Sequence, residues 1–259
     1  MLRERIEKRE KLIGTHIHLT DVTSTKLMAL ANFDYIWIDE EHSYKPLEDL
    51  LRDIIILKAM GVSVIVRAPQ DDLTYTKKIL EMGVDGIIFP QIRTAEQANK
   101  LISYTLYPPY GIRGFGPGNA IDYGYKDAQE YVDNTTTNVC RFIQIEHIDA
   151  VKNLDEIMKN DYIDGYIFGA HDLSGSINEL GNVYGENNIK LIKESIVKLK
   201  AKGKYIGLST TDTEYDKLKF WFDLGIDMIS SGSEFYFIQT GALRTRNNLD
   251  QARKDAETK

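Results

Sequence analysis

The chain has 259 residues, 42% of them hydrophobic and 27% charged, which is enough apolar material for one globular core spanning residues 1–259. A formal net charge of -7, with no cluster of Lys and Arg interleaved with aromatics, argues against an electrostatic grip on nucleic acid or an anionic membrane surface and leaves small molecules as the expected partners. No apolar run reaches the length of a membrane span, Met1 to Lys11 lacks the apolar centre of an export signal, and the lone Cys140 excludes an internal disulfide, so a cytoplasmic protein is expected.

In chain order, the first strand candidate is Lys11 to Ile17, leading past His16 and His18 to a helix that Asp21 and Ser24 can cap. Phe33 to Ile38 is β-branched and aromatic with no helical period, and it runs straight into the polar sequence Asp39, Glu40, Glu41, His42. Val62 to Val66 follows a helix-ending Gly61 and delivers Arg67, and Val84 to Ile88 follows Gly83 and delivers Gln91. Thr94 with Gln97 reads as a capping box. Leu106 to Gly124 is rich in Pro and Gly and reads as a long connection, with a helix expected over Lys126 to Asn134. The remaining strand candidates are Val139 to Ile145, Ile163 to Ile167, Lys204 to Leu208 (after the helix-ending Gly203) and Ile226 to Ile229. Beyond them stand Glu146, then Gly169 to Asp172, Ser209 to Thr211, and Ser230 to Gly232.

Every second strand repeats one pattern, an Asp leading into an apolar run: Asp34, Asp85, Asp164 and Asp227. Strict strand and helix alternation requires parallel neighbours joined by crossover helices, and eight such units close into an α/β fold, the (β/α)8 TIM barrel. An open doubly wound sheet is the competing architecture, but no Gly-x-Gly-x-x-Gly follows the first strand.

In a barrel the residues just beyond the strands form the site, and here they are polar beyond what packing asks. Each taken alone is as well explained as a helix cap or an exposed loop side chain; together they read as a pocket. Glu146 and Asp172 come from successive strands and can converge on a hard divalent cation, Mg2+ or Mn2+, although Asp172 is also a sound N-cap. His147 and His171 flank them and either shift the preference toward Zn2+, Co2+ or Ni2+ or simply line the pocket. No lysine falls in the barrel mouth to form a Schiff base, so carbanion chemistry here needs a metal. Arg67 suits a carboxylate or a developing enolate oxygen, and His42 suits proton transfer near neutral pH.

Five stretches, Trp37 to His42, Val66 to Pro69, Tyr107 to Gly114, Gln144 to Glu146 and Asp164 to Ser174, together resemble the HpcH/HpaI family of class II, metal-dependent pyruvate aldolases. The resemblance runs from about Ile13 to Gly232, and the Tyr-Pro-Pro segment with its Gly-Ile-Arg-Gly sequel is its most specific part. It implies a barrel whose subunits exchange C-terminal helices, in a hexamer arranged as a trimer of dimers. It also implies reversible cleavage of a 4-hydroxy-2-oxo acid, of the 2-keto-3-deoxy type, to pyruvate and an aldehyde through an enolate that a divalent metal stabilises. Carried over, Glu146 and Asp172 are the metal ligands, Arg67 meets the ketone or enolate oxygen, and Gln144 contacts pyruvate. Amides near Ala170, His171 and Asp172 hold its carboxylate, His42 is the acid-base group, and Glu41 orders water beside it. Glu81 stands where the family orients the histidine with an aspartate. Departures at Glu40, His147, His171 and Ser209 imply a more polar aldehyde side, suited to hydroxylated or acidic acceptors. The rival readings are a coenzyme A-dependent lyase of the malyl-CoA or citramalyl-CoA type, and a non-catalytic barrel that binds a keto acid.

Overall fold

The computed structural model describes residues 2–69 and 71–258. A short helix α1 (Leu2–Glu7) precedes β1 (Leu12–Ile17), α2 (Val22–Leu30), β2 (Tyr35–Asp39), α3 (Leu47–Ala59), β3 (Ser63–Arg67), α4 (Leu73–Glu81), β4 (Gly86–Phe89) and α5 (Ala95–Ser103). A 3-10 segment (Gly118–Gly124) and α6 (Ala128–Asp133) lead to β5 (Cys140–Ile145), α7 (Ile148–Lys152), α8 (Leu154–Ile157), β6 (Gly165–Gly169) and α9 (Ala170–Ser176). The chain then runs through α10 (Glu186–Ala201), β7 (Tyr205–Thr210), α11 (Tyr215–Leu224), β8 (Met228–Ser233) and α12 (Glu234–Glu257). The strands are parallel and close in sequence order, with β8 pairing back onto β1. The expected barrel is therefore the observed one, and the expected caps form: Asp21 accepts from Ser24 N, and Thr94 from Gln97 N. Among the described residues no helix is long and apolar enough to cross a membrane.

Four strands begin two residues later than the apolar runs suggest, and the repeated aspartates explain the offset. Each stands just outside its strand and binds back to the preceding one. Asp34 Oδ2 accepts from Ile13 N (2.8 Å), Asp85 Oδ2 from Val64 N (2.8 Å), Asp164 Oδ2 from Arg141 N (2.7 Å) and Asp227 Oδ2 from Ile206 N (3.0 Å). The same four residues donate their own amides to Ile13 O, Val64 O, Arg141 O and Ile206 O. A backbone donor that would be left over where a strand starts is satisfied, and strand pairs are fixed in register at the N-terminal face of the barrel.

Strand alternation sorts the rest. Leu12, Tyr35, Trp37, Ile65, Ile88, Cys140, Phe142, Ile167, Tyr205 and Met228 fill the lumen, with Leu2 and Ile6 of α1 packed beneath them. The opposite parity, including Ile36, Ile38, Val64, Val66, Ile143 and Ile206, packs against the helices. Burial pushes the Cys140 thiol up to about 12, so it behaves as a small apolar side chain. Continued two residues at a time, the lumen series arrives at His16, Asp39, Arg67, Gln144, Gly169 and Ser209 at the C-terminal face.

Candidate active site

These residues, with His18, His42, Ala170, His171, Asp172, Thr210, Thr211, Gly232, Ser233 and Phe235, line a cavity of about 230 Å³. Its hub is a buried ion pair. Asp39 and Arg67 are register partners on β2 and β3, and the guanidinium grips both carboxylate oxygens, Nε to Oδ1 at 2.9 Å and Nη2 to Oδ2 at 2.5 Å. This two-point grip uses the fork geometry that only arginine provides. The remaining nitrogen, Nη1, donates to Gln144 Oε1 (3.2 Å) and lies 2.8 Å from Glu41 Oε2. Burial alone would raise the Asp39 pKa; His18 and Arg67 outweigh it and hold the carboxyl far below its ordinary value. Asp39 Oδ1 also accepts from Glu41 N (3.0 Å), which ties down the turn that carries His42.

The β1 side of the cavity holds two histidines in opposite states. Burial pushes the His16 imidazole down to about 4, so it is neutral. Its Nδ1 faces the Gly232 carbonyl (2.8 Å) and must carry the proton, which leaves Nε2 to accept from Ser209 Oγ (3.0 Å). Ser209 therefore spends its proton on His16 and turns lone pairs to the cavity. His18 is the reverse case. Burial works against its charge, yet Asp39 (Nε2 to Oδ2, 3.4 Å) and Glu234 (Nδ1 to Oε2, 3.7 Å) outweigh it and raise the pKa to about 9.

On the β5 side, Gln144 passes the row of hydrogen bonds on, its Nε2 donating to Glu146 Oε2 (2.9 Å), while Glu146 Oε1 accepts from Gln91 N (2.6 Å). Gln91 holds φ +56° to aim that amide. Burial, then the charges of Glu41 and Asp172, push Glu146 up to about 7. Gly169 is required here, because a Cβ would stand 2.6 Å from Glu146 Oε2. Asp172 lies exposed in the first turn of α9, on the cavity wall.

Among the described residues no group of three or more His, Cys, Asp or Glu side chains forms a complete metal site. Glu146 and Asp172 nonetheless fit a hard divalent cation. Both offer carboxylate oxygen, the glycine leaves space beside Glu146, and the mutual repulsion felt at Glu146 is what a cation relieves.

Several sequence candidates fall elsewhere. His147 caps α7, its Nδ1 accepting from Asp149 N (3.1 Å), and does not line the cavity. Glu40 has outward parity; Oε2 accepts from Tyr75 OH (2.7 Å) of α4, burial raises the carboxyl to about 7, and the side chain faces the helix layer, not the cavity. Glu81 closes α4, which runs antiparallel to the strands, and its carboxylate lies against Gly116. His42 sits at the other end of the barrel with Glu41 3.8 Å away, so no ion pair or hydrogen bond joins His42 to Glu81 among the described residues of one chain. What the residue order did not mark is Glu234, 1% exposed at the root of α12 and bonded to the His18 and Leu19 amides (both 2.5 Å). The signal was present only as an acid opening an otherwise apolar-looking helix.

Known proteins resemble the chain in sequence and in fold. Residues 12–237 match the HpcH/HpaI aldolase/citrate lyase family model. The chain is 30% identical over 249 residues to the 2-keto-3-deoxy-L-rhamnonate aldolase of Escherichia coli K12, covering 96% of this chain and 90% of the relative. It is 29% identical over 246 residues to a hydroxypyruvate/pyruvate aldolase of Deinococcus radiodurans, covering 95% and 88%. The crystal structure of an HpcH/HpaI aldolase from Desulfitobacterium hafniense superposes with a TM-score of 0.89 at 24% identity, covering 96% of each chain. With a match over most of its length and a barrel that carries the polar residues at the expected face, the chain belongs to the HpcH/HpaI aldolase/citrate lyase family and is an enzyme of the aldolase class.

Proposed function

We propose that this chain reversibly cleaves a 4-hydroxy-2-oxo acid to pyruvate and an aldehyde. The observation that carries the reading is the continuous buried row Asp39, Arg67, Gln144, Glu146, ending beside Asp172. Glu146 and Asp172 are the ligands of a divalent cation, Mg2+ or Mn2+, which when bound supplies Lewis acidity at pyruvate's ketone. Arg67 presents a permanent positive charge to the oxygen that becomes negative when the carbon-carbon bond breaks, and Asp39 prevents it from swinging away. Gln144, held between Arg67 and Glu146, contacts pyruvate, and the Ala170 to Asp172 wall receives its carboxylate. His42, 65% exposed at the cavity mouth, moves the proton of the C4 hydroxyl, with Glu41 as its charged neighbour. On the far wall Ser209, whose proton is spent on His16, accepts from a hydroxyl of the aldehyde part and disfavours a carboxylate there.

The same reading includes an assembly and a location. Helix α12 exposes Phe235, Ile238, Leu243 and Leu249 and buries only Glu234, which supports its exchange between subunits of a hexamer. A cytoplasmic location follows from the composition. The test is exchange of pyruvate's methyl protons in deuterated water, with and without Mg2+, for native protein, Glu146→Ala and His42→Ala. Metal-dependent exchange in the native protein that is lost in Glu146→Ala is expected. A native protein that never exchanges these protons, yet binds pyruvate, would instead be a keto-acid-binding barrel.

A further inference from the structure

Helix α12 has 24 residues, and among those described its single buried side chain is an acid, Glu234. A helix anchored by packing buries leucines; this one is anchored by charge. Glu234 Oε1 takes the His18 and Leu19 amides, while Oε2 has no hydrogen-bond partner of its own and faces His18 Nδ1, which is likewise without one. The other face of the imidazole meets Asp39, whose two oxygens grip Arg67, and Arg67 in turn reaches Glu41. From the root of α12 to the cavity the charges alternate: Glu234, His18, Asp39, Arg67, Glu41. The His18 ring is held in place edge-on to Phe235, with ring centres 5.1 Å apart.

We propose that His18 is a positioning residue whose imidazolium joins Glu234 to Asp39 and thereby fixes, through Asp39, the direction from which Arg67 enters the cavity. The C-terminal helix and the catalytic arginine are set by one shared cation. Asp39 without His18 keeps Arg67 but loses the second charge that holds its own carboxylate against the barrel rim, and a misplaced charge at the reacting oxygen costs rate more than affinity. This rests on the reading of Arg67 as the group that meets the substrate oxygen.

The groups facing His18 are Asp39 on β2, Glu234 on α12 and His16 on β1, with Arg67 behind Asp39 and Lys45 bound to the Leu19 carbonyl. Of these, His16 is neutral and Asp39 stays ionised, while His18 is the group held up to about 9.

The experiment has two arms. Nuclear magnetic resonance titration of the imidazoles should find His18 in the native protein near 9, falling toward about 6.5, the value of a free imidazole, in Glu234→Gln. A native His18 that titrates near its free value overturns the proposal whatever the protein catalyses. In the kinetic arm, His18→Gln should lower kcat for pyruvate proton exchange about tenfold with little change in KM, and abolish the fall in native activity as pH rises through about 9. Glu234→Gln should lower kcat similarly, and the double variant should lose no more than the worse single one, because both break one chain. Additive losses, or a His18→Gln enzyme with native kcat and the same alkaline fall, overturn it. Absence of exchange in the native protein brings down the aldolase reading and the kinetic consequence with it, while the imidazole titration still reads the charge chain.

Discussion

The two faces of this barrel use the same residue types to opposite ends. At the N-terminal face each of the four repeated aspartates is matched: Asp34 with Arg5 (2.8 Å), Asp85 with Lys58 (2.5 Å), Asp164 with Arg3 (2.6 Å) and Asp227 with Lys11 (3.1 Å), and each also receives a strand amide. At the C-terminal face Asp39, Glu41 and Glu234 share Arg67 and His18, while Glu146 and Asp172 have no ion-pair partner among the described residues. The visible result is Glu146, held up to about 7 by burial and by its acidic neighbours. Satisfied charge closes the barrel. Charge left short of partners is what, on the proposed reading, a substrate and a cation would complete.

The contrast breaks most sharply at Glu146. Glu146→Gln should lower metal-dependent proton exchange by about 10³-fold, the scale of losing a group that stabilises transition-state charge, while leaving the thermal midpoint of the metal-free protein unchanged or higher. At the opposite face, Asp164→Ala strands the Arg141 amide and the Arg3 guanidinium, and should cost about 2–3 kcal/mol in denaturant unfolding with kcat/KM retained. If Asp164→Ala impairs kinetics at constant stability, the division between the faces fails.

A pH effect sharpens the same comparison. Glu146 and Glu40 both have folded pKa values raised to about 7, so between about pH 4.5 and 7 these two carboxyls bind more protons in the folded state and their contribution to stability falls as pH rises, while the single His16, pushed down to about 4, works the other way below about 6.5, two groups against one. Scanning calorimetry of metal-free protein should show the midpoint dropping by about 5 °C from pH 5 to 7.5, with Mg2+ restoring part of it at pH 7.5. A midpoint that rises over this range contradicts the account. The smallest effect expected is at the rim: His171→Ala should shift the preference among hydroxylated, apolar and acidic aldehydes by about threefold, measured as ratios of kcat/KM, and an unchanged profile would remove His171 from the specificity wall.

Much of this was legible before the fold. The apolar runs and their polar sequels located eight strands and the end of each that faces the site, because strand identity depends on neighbours one and two residues away. The repeated aspartates were visible as a pattern without a purpose; their purpose needed the strand beside them. Within the acidic run Asp39, Glu40, Glu41 and His42, the family resemblance assigned roles to Glu41 and His42, and adjacency alone could not tell Asp39 from Glu40. Strand parity separated them, sending Asp39 to Arg67 and Glu40 outward to Tyr75.

Composition and periodicity by themselves determined the barrel, its single buried thiol, and the candidate pairing of Glu146 with Asp172. The tertiary structure alone decided that His147 is a cap, that Glu81 and His42 lie at opposite ends of one chain's barrel, that His16 is neutral and His18 charged, and that Glu234 meets His18. The physical reason is the range of each interaction. Backbone conformation is chosen by local sterics and burial, whereas the state of an ionisable side chain is set by whichever charges the closed barrel brings within a few ångströms, and His18 and Glu234 stand at opposite ends of the chain.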